Sequence, residues 1–115
     1  MPPALAYSFD DAVASKFYYD LDGKRLEIHF THCWEIATGR RHDEPCQLLI
    51  HHWADARCQE PDVSPHFVPL DAGMGIVSLL LSFAWTAEGA EVWINTIDER
   101  YLLLRFTNPS VEVVL

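Results

Sequence analysis

Six histidines and three cysteines are the residues of this chain with the most chemistry open to them. His29, His32, His51 and His52 fall in two short segments, with Cys33 beside the first and Cys46 beside the second. If those segments were neighbouring strands, three imidazole nitrogens could surround a zinc ion. The spacing argues against it. Side chains alternate in direction along a strand, so His29 and Cys33 point to one face and His32 to the other, and His51 and His52 also diverge. No H-x-x-x-H or C-x-x-C pair fixes a chelate, and neither a metal nor another cofactor is expected. His32 interrupts an otherwise apolar row. A hydrogen bond to a backbone carbonyl or to His52 would account for it; a ligand-contacting histidine in a pocket is the alternative.

Nucleophilic catalysis needs a nucleophile, a base and an orienting group converging in space. Cys33 or Cys58 with a histidine, or Ser64 beside Pro65 and His66, supplies the residue types. Nothing gathers them, and neither a G-x-S-x-G elbow nor a cysteine-protease signature is present. The acid pairs Asp10-Asp11, Asp43-Glu44 and Asp98-Glu99 each sit where a cap or turn wants them. Gly73-Met74-Gly75 lacks the third glycine and the lysine of a phosphate-binding loop. No catalytic apparatus is legible, and turnover is not expected.

The four tryptophans are the remaining candidates, because Trp is enriched both in cores and at binding hot spots. Trp34 and Trp85 share the apolar parity of their segments and read as core. Trp53 follows His52 and Trp93 lies between Val92 and Ile94, so either can face solvent. Together they would form an aromatic patch rimmed by acids.

The elements that must position these residues are mostly strands. Ser8 before Phe9, Asp10 and Asp11 predicts a short N-terminal helix running to about Ser15. Lys16 to Asp20 reads as an aromatic strand, turned by Leu21-Asp22-Gly23. From Arg25 to Ile36 the even positions are Leu26, Ile28, Phe30, His32, Trp34 and Ile36, and polar residues fill most of the odd ones. That alternation predicts one long strand with one wet face. Cys46 to Ala54 reads as its antiparallel partner, apolar on both sides near the middle. Asp55 to Pro69, with three prolines, reads as a long loop or short helix followed by extended chain. Ile76 to Thr86 suits a strand or a buried helix; a hairpin return through Gly89 into Val92–Ile97 favours strand. Tyr101–Thr107 and Val111–Leu115 complete the set, with Asp98-Glu99 and Asn108-Pro109-Ser110 as turns.

The fold expected for residues 1–115 is a single, mainly β domain. About seven strands would form an antiparallel meander, as a half-barrel or a sandwich, with the short helix at its start. A chain of 115 residues, half of them hydrophobic, can build a core without disulfides or a structural metal.

Formal charge is −9. Residues 1–57 hold nine acids and six bases, and 58–115 hold eight acids with only Arg100 and Arg105. An acidic field repels phosphate, which disfavours nucleic acid as a partner, and speeds encounter with a basic protein. Three cysteines without a C-x-x-C pair suit buried thiols in a reducing compartment. Met1-Pro2-Pro3-Ala4-Leu5 shows no signal-peptide pattern, and the apolar run Met74–Trp85 is too short to span a bilayer. A cytoplasmic protein without membrane association is expected.

The patterns Phe17-Tyr18-Tyr19-Asp20, Leu26-Glu27-Ile28-His29-Phe30 and Cys46-Gln47-Leu48-Leu49-Ile50 through Trp53 resemble those of small bacterial immunity proteins of polymorphic toxin systems. Trp93-Ile94-Asn95-Thr96-Ile97 and Tyr101 to Phe106 extend the resemblance. It implies inhibition of a secreted toxin by direct binding, and it carries over no individual residue. Asp43, Glu44, Trp53, Trp93, Asp98 and Glu99 are the candidate contact residues. Two alternatives stand beside this reading. One is a small-ligand or metal-binding half-barrel, with an enzyme as one form of it, built on His32, His51 or His52. The other is a homodimer or larger assembly joined through strands that are apolar on both faces.

Overall fold

The alternation that begins at Arg25 builds the first layer. Leu26, Ile28 and Phe30 all turn inward and are fully buried, while Arg25, Glu27 and His29 face out. The computed structural model describes residues 5–20 and 22–115. Residues 1–4 of the expected signal-free N-terminus and Leu21 of the expected turn therefore lie outside the described residues.

Twelve strands and one helical turn are present among the described residues. In chain order they are β1 (Tyr7–Ser8), β2 (Ala12–Asp20), β3 (Arg25–Phe30), β4 (Cys33–Glu35), β5 (Arg41–His42) and β6 (Cys46–His51). There follow β7 (Asp55–Gln59), β8 (Val68–Pro69), α1 (Leu70–Gly73), β9 (Val77–Trp85), β10 (Gly89–Thr96), β11 (Tyr101–Thr107) and β12 (Ser110–Val114). All pairings are antiparallel. One sheet runs β12-β6-β3-β2-β9-β10-β11-β7-β8, and a small second sheet runs β1-β4-β5.

Three expectations need correction. The N-terminal helix is absent. Ser8 accepts the Asp10 amide through its hydroxyl at 3.2 Å, the Ala12 amide donates to the Phe9 carbonyl at 2.9 Å, and Asp11 takes φ 61°. This is a tight turn, and β2 starts directly after it. So short a helix would have to meet the cost of nucleation with few hydrogen bonds in return, whereas Val13, Phe17, Tyr18 and Tyr19 suit a strand. Among the described residues the one helical turn is α1, far along the chain.

The twelve-residue strand is also two strands. It breaks at Thr31–His32, and β4 leaves for the small sheet, where Trp34 pairs with Ser8 and Arg41. Inward positions run 26, 28, 30 and then 33, so the parity flips. Cys33 becomes buried, and Trp34, expected in the core, is exposed beneath the Arg41 guanidinium 5.5 Å from its ring. The third correction is β7, which lies where a loop was expected; Cys58 supplies its buried anchor.

The long sheet folds over on itself at two places. β2 pairs with β9 through Ala12 and Val13, then with β3 from Ala14 onward, with a bulge at Ser15 easing the bend. Opposite, β6–β7 and β11–β12 form one bent ribbon. Between Thr107↔Asp55 and Ser110↔His51, three steps on one strand answer four on the other. His52 (φ 54°) and Asn108 (φ 54°) take left-handed backbone at this corner. The inward faces of both halves meet in one core, with Leu26, Ile28, Leu48 and Ile50 from one side and Leu80, Val92, Ile94, Leu102 and Leu104 from the other. The result lies between the half-barrel and the sandwich that the strand pattern allowed.

No helix among the described residues is long and apolar enough to cross a membrane.

Candidate functional site

The hairpin β10–β11 and its neighbour β9 place alternate side chains in the core and on an outer face. Ala90, Val92, Ile94 and Thr96 point in, so Glu91, Trp93 and Asn95 point out. In β11 the outward residues are Tyr101, Leu103 and Arg105. Register then sets the rungs. Leu79, Asn95 and Tyr101 lie abreast, with Val13 beyond Leu79; Ser82, Trp93, Leu103 and Gln59 form the next; Ala84, Glu91, Arg105 and Arg57 the one after.

An antiparallel sheet with one wet face should alternate apolar with polar. Here the outer rungs are apolar through Val13, Leu79, Trp93, Tyr101 and Leu103. Trp93 and Tyr101, diagonal neighbours across the hairpin, stack with ring centres 5.0 Å apart and planes 15° from parallel. Val13 is 64% exposed, and Ile76 and Ile97 are exposed at the end of the same strands, joined by an amide-to-carbonyl bond of 3.0 Å. Leu103 is buried although it points outward. The loop after β7 is drawn toward it: the Gln59 side-chain amide donates to the Pro65 carbonyl at 2.8 Å, and Arg105 lies 4.2 Å over the Phe67 ring.

The turn closing this hairpin is tightly built. The Thr96 hydroxyl donates to Asp98 and accepts the Arg100 amide at 3.1 Å. Arg100 donates to Asp98 at 3.0 Å and to the Gly73 carbonyl at 3.0 Å, with Glu60 3.7 Å away. The Thr96 hydroxyl bond, followed by the Arg100 charge, holds the Asp98 carboxyl below the usual carboxylate range. Glu99 takes φ 64°, which presents its carboxylate to solvent at the rim.

Of the six candidate contact residues, the fold brings Trp93, Asp98 and Glu99 together on this one hairpin. Asp43 and Glu44 are exposed on the connection between the small sheet and β6, with Arg41 paired to Asp43 and His42 4.0 Å from Glu44. They share no contact with the hairpin acids among the described residues. Trp53 is a correction. It is buried, 5.1 Å from Phe106, because the left-handed His52 turns the chain at the corner and sends the next side chain inward. Trp85 is half-buried at the end of β9 and packs edge-on against Phe83. The residues that sequence reasoning missed are Tyr101, Leu79 and Leu103. Their signal was apolar character on the parity that should be wet.

His51 and His52, expected to diverge, lie with ring centres 4.4 Å apart at the left-handed His52 corner, but the histidines gather no metal site among the described residues. His29 lies 3.6 Å from Glu27 and His51 3.7 Å from Glu112, two separate pairs on the outer face of the other half-sheet. His32 is not the buried residue of an apolar row but sits in the break after β3, 3.1 Å from the Thr31 hydroxyl. Among the described residues no three His, Cys, Asp or Glu side chains are placed to hold a metal ion. All three cysteines are buried. Burial, and next the neighbouring Cys33 thiol, pushes Cys46 up to about 12, and burial also raises Cys58. Burial of this kind makes Cys46 and Cys58 poor nucleophiles.

Comparison with family models, with curated proteins and with solved structures gives no match to this chain.

Proposed function

We propose that this protein acts by binding a protein partner through the outer face of β9–β10–β11, and that the partner is a basic toxin which it neutralises as an immunity protein. The observation that carries the binding face is the Trp93–Tyr101 stack, set among Val13, Leu79 and Ile97 on a sheet face that solvent alone would make polar. Trp and Tyr dominate hot spots because they bury a large area with little loss of side-chain freedom. Asp98 and Glu99 rim that face, and the chain's net charge of −9 favours fast encounter with a cation-rich surface. The immunity reading rests on the resemblance in strand patterns. Inhibition would come from occupying the toxin's working surface, without turnover.

The test is capture of toxin-like products of neighbouring genes by tagged protein, followed by calorimetry with the captured partner. A one-to-one complex with a basic protein is expected, and Trp93→Ala should weaken it by more than about tenfold. Unchanged affinity in that variant would remove the face from the interaction. A dimer in light scattering without any partner, abolished by the same substitution, would instead assign the face to self-association.

A further inference from the structure

A second surface, apart from the aromatic face, lies at the corner where β11 passes into β12. β10 begins at Gly89, whose last cross-strand partner is Thr107, and the Asn108 amide donates to the Glu88 carbonyl at 2.9 Å. The approach is close: a Cβ on Gly89 would stand 2.1 Å from the Phe106 carbonyl oxygen. Beyond Asn108 the two chains part. β10's partner strand continues as β12, but β10 has no continuation alongside it, and β12 ends the sheet. The space left open is a groove of about 490 Å³ between Trp85–Gly89 and Asn108–Glu112.

Among the described residues this groove is a vacant strand position. One edge of β12 pairs with β6, so alternate residues of the strand turn their N–H and C=O groups toward the empty side. Side chains follow the same alternation. Val111 and Val113 pack against the core, and Ser110, Glu112 and Val114 face outward. Among the described residues the charged side chains lining the groove are Glu88 and Glu112, with no cation. Glu112 lies 3.7 Å from His51 but keeps 60% of its side chain exposed, which leaves it open to a cation.

We infer that the β12 edge accepts an extended segment of a partner protein by strand addition, and that this segment alternates apolar and basic side chains. Its main chain would complete the β12 ladder. Its apolar residues would lie on the side of Val111 and Trp85, and its lysines or arginines beside Glu112 and Glu88. A second copy of this chain fits less well, because antiparallel pairing of two β12 edges would bring the Glu88 and Glu112 carboxylates of both copies together.

The test uses isotopically labelled protein and a soluble peptide of alternating valine and lysine, with an alternating valine–glutamate peptide as counterpart. The lysine peptide should bind and slow amide exchange in residues 110–114 by about tenfold or more, while the glutamate peptide should not bind. A double charge reversal, Glu88→Lys with Glu112→Lys, should weaken binding by about tenfold or more; Asp62→Lys, an exposed acid outside the groove, should change it by less than about twofold. The inference fails if both peptides bind alike, if no binding occurs up to roughly millimolar peptide, or if protection falls on Trp93 and Tyr101 and not on β12. Protection of β12 that grows with protein concentration alone would assign the edge to self-pairing and overturn the inference.

Discussion

The two halves of the folded sheet share one core but present opposite outer faces. On β2, β3, β6 and β12 the outward rungs read Lys16, His29, Gln47, Val114, then Tyr18, Glu27, Leu49, Glu112, then Asp20, Arg25, His51, Ser110. Charges dominate, and they pair locally: Arg25 donates to Glu27 at 3.0 Å, His29 and His51 each approach a glutamate, and Leu49 is shielded beneath its neighbours. On β9, β10 and β11 the same positions hold Val13, Leu79, Trp93, Tyr101 and Leu103. The first face sets its charges beside one another within the chain, although the His29 and His51 Nε2 atoms are buried without a hydrogen-bond partner among the described residues. The second keeps apolar side chains on its outer parity, and the difference teaches that such residues need a reason other than the core once the core is already filled.

The largest effect that would sharpen this contrast separates two tryptophans. Trp53→Ala removes a buried ring from Phe106 and should cost about 3–5 kcal/mol of stability. Trp93→Ala loses a half-buried stack and should cost about 1 kcal/mol. Urea unfolding of both variants measures the gap; equal losses would mean that the outer face is as structural as the core.

Partner affinity should order the faces the other way. Trp93→Ala or Tyr101→Ala should cost about 2 kcal/mol or more in binding, whereas Tyr18→Ala, an exposed aromatic on the charged face, should stay within about 0.5 kcal/mol. Titration calorimetry reads both. A Tyr18 effect as large as that of Trp93 would erase the distinction between the faces.

Arg100 anchors the end of the apolar face to α1 and Glu60. Arg100→Ala should destabilise the fold by about 1–2 kcal/mol and speed amide exchange around Thr96–Glu99 before exchange on β3 changes. Uniform acceleration across both halves would show instead that the anchor supports the whole sheet.

The smallest effect belongs to the charged face and to acid. The Arg25 hydrogen bond lowers the Glu27 carboxyl below its ordinary range. A carboxylate lowered on folding contributes stability that is present above its unfolded value, about 4.3, and is lost as pH falls through the folded value. Glu27→Gln should therefore unfold at lower urea than the parent at pH 7, with the difference shrinking toward pH 3. A difference that is constant with pH would assign the effect to packing.

Each of the seven strands read from the sequence has a counterpart, as β2, β3, β6, β9, β10, β11 and β12, because each carries at least two inward side chains that are branched aliphatic or aromatic. β7 escaped because Pro61 and Pro65 close by made the region look irregular, and only Ala56 and Cys58 face in. β1, β4, β5 and β8 are two or three residues long. Strands so short exist only where another part of the chain supplies a partner, which local pattern does not record. The same limit governs the site. Trp93, Asp98 and Glu99 were legible as residue types in a hairpin. That Trp53 turns inward depends on one left-handed residue, His52, and that Tyr101 stacks on Trp93 depends on register.

The bent ribbon of β6–β7 and β11–β12 also has a consequence in time. β9, β10 and β11 are joined by tight turns and can pair as soon as they are made. β6 has to wait for β12, whose Val114 sits opposite Gln47, and that strand leaves the ribosome roughly 60 residues later, a delay of several seconds at ~5–20 residues per second. Throughout that interval Leu48-Leu49-Ile50, apolar on both sides, has one bare edge. During synthesis, this short stretch is where a chaperone, or a second nascent chain, would find the molecule first.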